Sequence, residues 1–342
     1  MRTIVLTGGG TAGHVLPNIA LLPHLRKNFD QICYIGGNGI EQQIAQKNGL
    51  PYYQITTVKL RRKLTLSNLA IPFKLLKGIR EAKKILRQLK PDVIFSKGGF
   101  VALPVVYAAH ALKIKVVAHE SDFSMGLANR LTAKKCAVIC TTFPINDQRY
   151  PQMVQTGAIL RSSIYHGDKT KIPLPTNDRP NVLVIGGSLG ATAINQAVWQ
   201  DLRALCAQFN VVHITGKGKA NSACQHPAYW QTEYLDKPED AFAWADMVVA
   251  RAGSGTVSEL MALQKPAVYV PLPKDESRGD QIQNADYCQK LGVCTVLPQS
   301  ELNVTNLVQA LLTLSRRRDE VVANCQKQTW IDGTQKVVSY LQ

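Results

Sequence analysis

TIVLTGGGTAGHVLP, residues 3–17, runs from a short apolar stretch through a glycine turn into the opening of a helix-like segment. Gly8, Gly10 and Gly13 stand in G-x-G-x-x-G spacing. Glycines let a backbone approach a ligand closely, and a following helix offers unpaired N–H groups and the positive end of its dipole to an anion. The stretch reads as the strand–turn–helix unit of a doubly wound α/β fold, and similar runs recur along the chain. They are QICYIG (31–36), DVIFS (92–96), KVVAHE (115–120), NVLVIGG (181–187), NVVHITG (210–216), MVVAR (247–251) and AVYVPL (267–272). Nearly continuous apolar runs separated by helix-length segments indicate parallel strands covered on both faces.

The plan appears twice. IVLTGGGTAGH (4–14) is echoed by VLVIGGSLGA (182–191), and SKGGFVALPVVYAAHALKIKVVAHES (96–121) by RAGSGTVSELMALQKPAVYVPLP (251–273). Between the halves, HGDKTKIPLPTNDRP (166–180) is rich in proline and polar residues and reads as a linker. The expected domains are 1–165 and 181–317. Residues 318–342 form a last helix that either stays with the second domain or packs back on the first. Two such domains facing each other open a cleft at the carboxyl ends of their strands, where all four glycine turns lie.

At 342 residues the chain is about two domains long. It carries 40 Lys and Arg against 24 Asp and Glu, a formal charge of +16, which attracts nucleic acid, an acidic membrane leaflet or phosphorylated ligands. No recognisable nucleic-acid module accompanies the charge, so nucleic acid is not expected. The opening apolar run is too short for a signal-peptide core and reads as a first strand. No stretch of about 18 apolar residues exists to span a bilayer. The eight cysteines form no CxxC pair, which points to a reducing, cytosolic compartment without structural zinc.

A nicotinamide enzyme would carry an acid at the end of the second strand to bind ribose. Here that strand ends YIGGNG (34–39), and the nearest acid is Glu41, beyond the turn. A G-x-x-x-x-G-K-[ST] phosphate loop is also missing. In GGSLGA (186–191), Ser188 at a helix start is either a phosphate ligand or an ordinary N-cap. In AGSGTVSE (252–259), Ser254, Gly255 and Thr256 open a helix. Glu259 one turn later suits two adjacent ribose hydroxyls, or else complements the helix dipole. Gln281 and Asn284 carry amides suited to sugar hydroxyls, or form a polar helix start.

GGTAGH (9–14), KGGF (97–100), HESD (119–122), GGSLGA, RAGSGTVSE (251–259) and DQIQNA (280–285), in that order, resemble the MurG family of bacterial UDP-N-acetylglucosamine transferases, glycosyltransferase family 28. The likeness extends over essentially the whole chain. It implies a GT-B fold, two Rossmann-like doubly wound domains. It implies inverting transfer of N-acetylglucosamine from UDP-N-acetylglucosamine to the 4-hydroxyl of N-acetylmuramate in lipid I, the undecaprenyl-pyrophosphoryl acceptor, forming lipid II for cell-wall synthesis. It implies that Ser188 contacts the donor diphosphate, Leu235 presents its backbone to uracil, and Ser254, Gly255, Thr256, Val257, Ser258 and Glu259 cradle phosphate and ribose. Gln281 holds sugar hydroxyls, Arg161 approaches the nucleotide, and Thr11, Ala12 and Gly13 lie near the transferred sugar. Gly9, Gly10, Gly98 and Gly99 line the acceptor-diphosphate side. The chain departs from the family at HESD, where HEQN is common, so Asp122 replaces an asparagine, and at GAILR (157–161), where GNPxR is common.

Transfer needs a base for the acceptor hydroxyl and stabilisation for departing UDP. His14, with an ordinary pKa near neutrality, is the expected base, though a turn-capping histidine is the plainer alternative. Glu120, at the end of KVVAHE, orients a side chain or aids acceptor binding. No two aspartates are separated by one residue, so no Asp-x-Asp metal pair exists. Helix N-termini and Ser188 then share the leaving charge. No obligatory cofactor is expected, and Mg²⁺ only as a companion of the diphosphates. Leu69, Phe73, Leu76 and Ile79, flanked by Lys74, Lys77, Arg80, Lys83 and Lys84 and preceded by KLRRK (59–63), suit an anionic membrane surface. An ordinary core-facing helix is the alternative. The expected location is the cytoplasmic face of the cell membrane, peripherally attached, with other cell-wall synthesis proteins as potential partners. Two other functions compete: a UDP-sugar:diacylglycerol glycosyltransferase, and a non-catalytic nucleotide-sugar binder at the membrane.

Overall fold

The computed structural model describes residues 1–58, 71–145, 147–174, 177–187 and 190–342. Leu69, the KLRRK segment and Ser188 lie outside the described residues. The chain forms two compact units, residues 1–161 with 332–342, and residues 162–331.

In the first unit the strands are β1 (Thr3–Thr7), β2 (Gln31–Gly36), β3 (Tyr52–Gln54), β4 (Val93–Ser96), β5 (Lys115–Glu120), β6 (Val138–Thr141) and β7 (Met153–Gln155). They form one sheet in the order β3-β2-β1-β4-β5-β6-β7. Every pairing is parallel, with Thr7 beside Ile35 and Ser96. All five residues of β1 are buried. One face packs Ile4, Leu6, Tyr34 and Phe95, the other Val5, Ile35, Ile94 and Val105. Burial on both faces explains why the strands read as unbroken apolar runs.

In the second unit the strands are β8 (Asn181–Ile185), β9 (Asn210–Ile214), β10 (Tyr229–Thr232), β11 (Met247–Ala250), β12 (Ala267–Tyr269) and β13 (Cys294–Val296). Their order is β10-β9-β8-β11-β12-β13, again all parallel. In each unit the strand order reverses beside the first strand, between β1 and β4 and between β8 and β11. Ligands of doubly wound sheets bind in the crevice at that point. All four glycine turns follow these four strands.

The observed division differs from the expected boundaries. Ser162–Tyr165 and Lys169–Lys171 form short helical turns in the second unit beside helix Pro238–Trp244. There the Asp168 N–H donates to Asp240 at 2.8 Å. Much of the 166–180 stretch is thus folded onto that unit. The 318–342 segment is two helices rather than one. Arg318–Gln326 stays with the second unit, while Thr334–Leu341 joins the first. There Val337, Val338 and Leu341 complete the core, and the Leu160 N–H donates to Thr334 Oγ1 at 3.1 Å.

All eight cysteines are free thiols, seven of them buried. Among the described residues, no helix is long and apolar enough to cross a membrane. Helix Ile71–Leu89 exposes Phe73 and Leu76 at 75% and 51%, with Lys74, Lys77 and Arg80 also exposed. Ile79, expected in the same exposed stripe, is half-buried against the core.

Candidate active site

The first glycine turn leads into a 3₁₀ turn, Ala12–His14. Thr11 Oγ1 and His14 Nδ1 are 2.9 Å apart. With the proton on Nδ1 and Thr11 accepting, the Nε2 lone pair is the basic one. That tautomer is what a general base requires. The turn after β4 lies alongside. Gly98 and Gly99 have φ of +84° and +75°, a region where a side chain is strained. A Cβ at Gly99 would also press on the Gly9 carbonyl and lie 3.5 Å from His14 Nδ1. Thr11, Ala12 and Gly13 lead into His14 in the turn after β1. The Gly10 N–H is not open to a phosphate, because it donates to Glu41 at 3.2 Å.

Glu120 is taken up by its own loop. It is 5% exposed. One oxygen accepts the N–H groups of Ser121 and Asp122 at 2.9 and 3.1 Å. The other accepts the Gly126 N–H at 2.7 Å and Asn129 Nδ2 at 3.0 Å. Four donors on one carboxylate make it the organiser of loop 121–126, which carries half-buried Asp122. Burial, and then Asp122, push its pKa up, against the pull of Gly126, Lys97 and Asn129. Lys97 went unnoticed in the KGGF motif. It is 2% exposed and its ammonium donates to Ser121 Oγ. Burial lowers its pKa, while Glu120 and Asp122 hold it up. A buried cation beside two acids keeps this loop from carrying their full negative charge. His119 is buried too, with Nε2 3.0 Å from the Gly157 carbonyl and a pKa forced down by burial.

Arg161 is half-buried at the end of the GAILR segment, which the returning C-terminus holds through the Ala158–Asp332 bridge and the Thr334 contacts.

In the second unit, helix Ser254–Ala262 starts after Gly253. Gly255 is exposed and Ser254 and Thr256 half-buried, so the first helical turn is presented at the strand ends. Two residues expected on the donor point inward: Val257 is 0% and Ser258 3% exposed, and the Val257 N–H already donates to the Gly253 carbonyl. Glu259 is half-buried one turn on. Half-buried Gln281 accepts the Leu272 N–H on Oε1 at 3.0 Å, which leaves the oxygen tied to the turn after β12. Asn284, expected beside it, is instead fully buried and ties Nδ2 to the Ala252 carbonyl at 3.1 Å. Leu235 follows β10, half-buried next to Tyr234, which is 63% exposed.

Two supports of these turns escaped the sequence reading. Arg251 donates to the carbonyls of Val270 and Pro271 and to Gln299 Oε1, tying the turn after β11 to the one after β12. Behind GGSLGA, fully buried His213 bridges the Tyr229 hydroxyl and Asn195 Oδ1 at 2.9 and 3.0 Å, and Asn195 also holds the Thr215 carbonyl. A Cβ at Gly190 would strike that carbonyl. Among the described residues, no three His, Cys, Asp or Glu side chains are grouped to hold a metal ion.

Known proteins share this chain's family and fold. Residues 4–141 match the glycosyltransferase family 28 N-terminal domain and residues 181–337 its C-terminal domain. A Clostridium botulinum (strain Kyoto) protein is 42% identical over all of this chain and 99% of its own length. A Lachnospira eligens protein is 41% identical over the same shares. Both are named UDP-N-acetylglucosamine–N-acetylmuramyl-(pentapeptide) pyrophosphoryl-undecaprenol N-acetylglucosamine transferase. The crystal structure of Acinetobacter baumannii MurG superposes with a TM-score of 0.81 at 28% identity, covering 100% of this chain and 99% of that one. The calicheamicin glycosyltransferase CalG4, 17% identical with a TM-score of 0.73 over 100% and 98% of the two chains, shares the fold. The chain has the GT-B fold and belongs to glycosyltransferase family 28.

Proposed function

We propose that this glycosyltransferase moves N-acetylglucosamine from UDP-N-acetylglucosamine to the 4-hydroxyl of N-acetylmuramate in lipid I, giving lipid II and UDP. The reading is supported most by the full-length relatives that bear this activity in their names. His14 Nε2 takes the proton of the acceptor hydroxyl. That oxygen attacks the anomeric carbon as the bond to UDP breaks, so an α-linked donor yields a β-linkage. UDP leaves with the electron pair of the broken bond. The open N–H groups of Ser254–Thr256, together with Ser188, take up the charge shed on the diphosphate.

Glu259 binds the ribose hydroxyls, the Leu235 backbone the uracil, and Gln281 the donor sugar. Asp122 accepts from a sugar hydroxyl, with Lys97 offsetting its charge, and Arg161 approaches the nucleotide. Glu120 acts by holding the Asp122 loop. The Gly98–Gly99 turn takes the acceptor's diphosphate, with Gly9 and Gly10 as the adjoining wall. Mg²⁺, where it takes part, travels with the diphosphates. Phe73 and Leu76, ringed by lysines and arginine, touch the anionic cytoplasmic face of the membrane that holds the acceptor.

His14→Ala tests the assignment. The variant binds UDP as the parent does and loses turnover. A variant with full turnover removes His14 from the chemistry. A parent chain that binds UDP-N-acetylglucosamine yet transfers nothing is a scaffold instead.

A further inference from the structure

The first glycine turn already holds an anion. Glu41 sits in the first turn of helix Ile40–Lys47 and is 2% exposed. Its carboxylate accepts the N–H groups of Gly10 and Gly37, both at 3.2 Å. Four glycines crowd the same side chain. A Cβ at Gly9 would lie 2.7 Å from its carboxyl carbon, one at Gly39 2.7 Å from Oε2, one at Gly37 3.1 Å from Oε1 and one at Gly36 3.1 Å from Cγ. Two turns, after neighbouring strands β1 and β2, are therefore bare where they enclose one carboxylate. An unsatisfied buried carboxylate is costly, and backbone N–H groups relieve that cost. The Gly10 N–H is also the group a phosphate inside this turn would need, and a second anion there would meet Glu41 at close range.

We propose that Glu41 is a positioning residue: its carboxylate fills the inner side of the first glycine turn, so the turn carrying Thr11 and His14 is shaped before substrate arrives and takes no phosphate on its Gly10 N–H. The glycines at 9 and 39 make room for Glu41 rather than for a nucleotide, while a Cβ at Gly36 or Gly37 would first meet the Tyr52 or Thr57 hydroxyl, with Glu41 behind. Substrate phosphate is left to the other turns. The proposal rests on the transferase reading only in naming His14 as the group positioned.

The test uses the full chain with ¹⁵N-labelled glycine, and inorganic pyrophosphate as the probe. In the parent the Gly10 and Gly37 amide signals stay in place throughout the titration. In Glu41→Ala they move saturably, because the two N–H groups are released. Glu41→Gln keeps the volume and one acceptor oxygen, so it frees only one of the two N–H groups, and movement of that one amide reports the change even where the alanine variant folds poorly. In transfer assays both variants lose about tenfold or more in kcat, as misplacement of a reacting group does, while KM for UDP-N-acetylglucosamine stays within about twofold because the donor residues lie elsewhere. Saturable movement of the parent's Gly10 amide with pyrophosphate overturns the proposal. Native kcat in both variants does so equally. A parent that transfers no sugar at all sinks the transferase reading alone, since the amide titration still decides Glu41.

Discussion

Replacing Glu120 with glutamine separates a loop organiser from a chemical group. The carboxylate serves four donors, two on each oxygen. A carboxamide has one acceptor oxygen, so either orientation turns an NH₂ group toward two donors. With the nitrogen at the first position, the Ser121 and Asp122 N–H groups lose their acceptor. With it at the second, Gly126 N–H and Asn129 Nδ2 lose theirs, and Asn129 cannot simply turn over, because Nδ2 also reaches the His119 carbonyl at 3.3 Å. Each buried donor left without a partner costs about 1–3 kcal/mol. Loop 121–126 is only half-buried and can turn toward water, which places the sum near about 2 kcal/mol. For a domain of this size that lowers Tm by about 4–8 °C. Calorimetry should show the loss in the transition of the first unit, and steady-state kinetics should show a raised KM for UDP-N-acetylglucosamine as Asp122 drifts. A variant with native Tm and native KM but collapsed kcat would refute this reasoning and return Glu120 to the chemistry.

Three further outcomes follow from the geometry. Thr11→Val removes the partner of His14 Nδ1, so kcat falls about tenfold to a hundredfold with donor affinity by calorimetric titration unchanged. Burial lowers the pKa of His213 from 6.5 to about 3. The unfolded chain then binds a proton that the folded chain refuses, and stability drops as pH falls below about 6.5, by up to about 1.4 kcal/mol per pH unit, levelling near about 3. Denaturant titrations at pH 7.5 and 4.5 should differ by about 2–3 kcal/mol from this group, with His119 adding in the same direction, and His213→Leu should flatten the slope. Phe73→Glu with Leu76→Glu should reduce co-sedimentation with anionic vesicles while leaving turnover of a soluble lipid I analogue intact.

The strands and their turns were legible because the signals are local. A buried parallel strand is an apolar run, and Gly8–Gly13 or Ser254–Thr256 follow it directly. What failed depended on rotation or on distant partners. Consecutive residues of a helix are about 100° apart, so a six-residue motif cannot face one ligand, and Val257 and Ser258 turn inward. The same geometry takes Ile79 into the core: it lies six residues from Phe73, about 240° around the helix. Glu120 was visible as an acid at a strand end, but its four donors come from residues 121, 122, 126 and 129 of a loop and helix that only the fold brings back. Glu41 looked like a misplaced ribose ligand until the register of β1 beside β2 gathered residues 9, 36, 37 and 39 around it. Proline and polar residues at 166–180 suggested a free linker, yet Asp168 finds Asp240, 72 residues on. Nothing in 332–342 announces its return to the first core, because an amphipathic helix does not name the surface it covers.

The most direct measurement presents the chain with radiolabelled UDP-N-acetylglucosamine and two acceptors together, lipid I and diacylglycerol, and follows the label into the lipids. The account predicts label in the lipid I product alone, released as a β-linked disaccharide. Label in diacylglycerol, or an α-linked product, would contradict it.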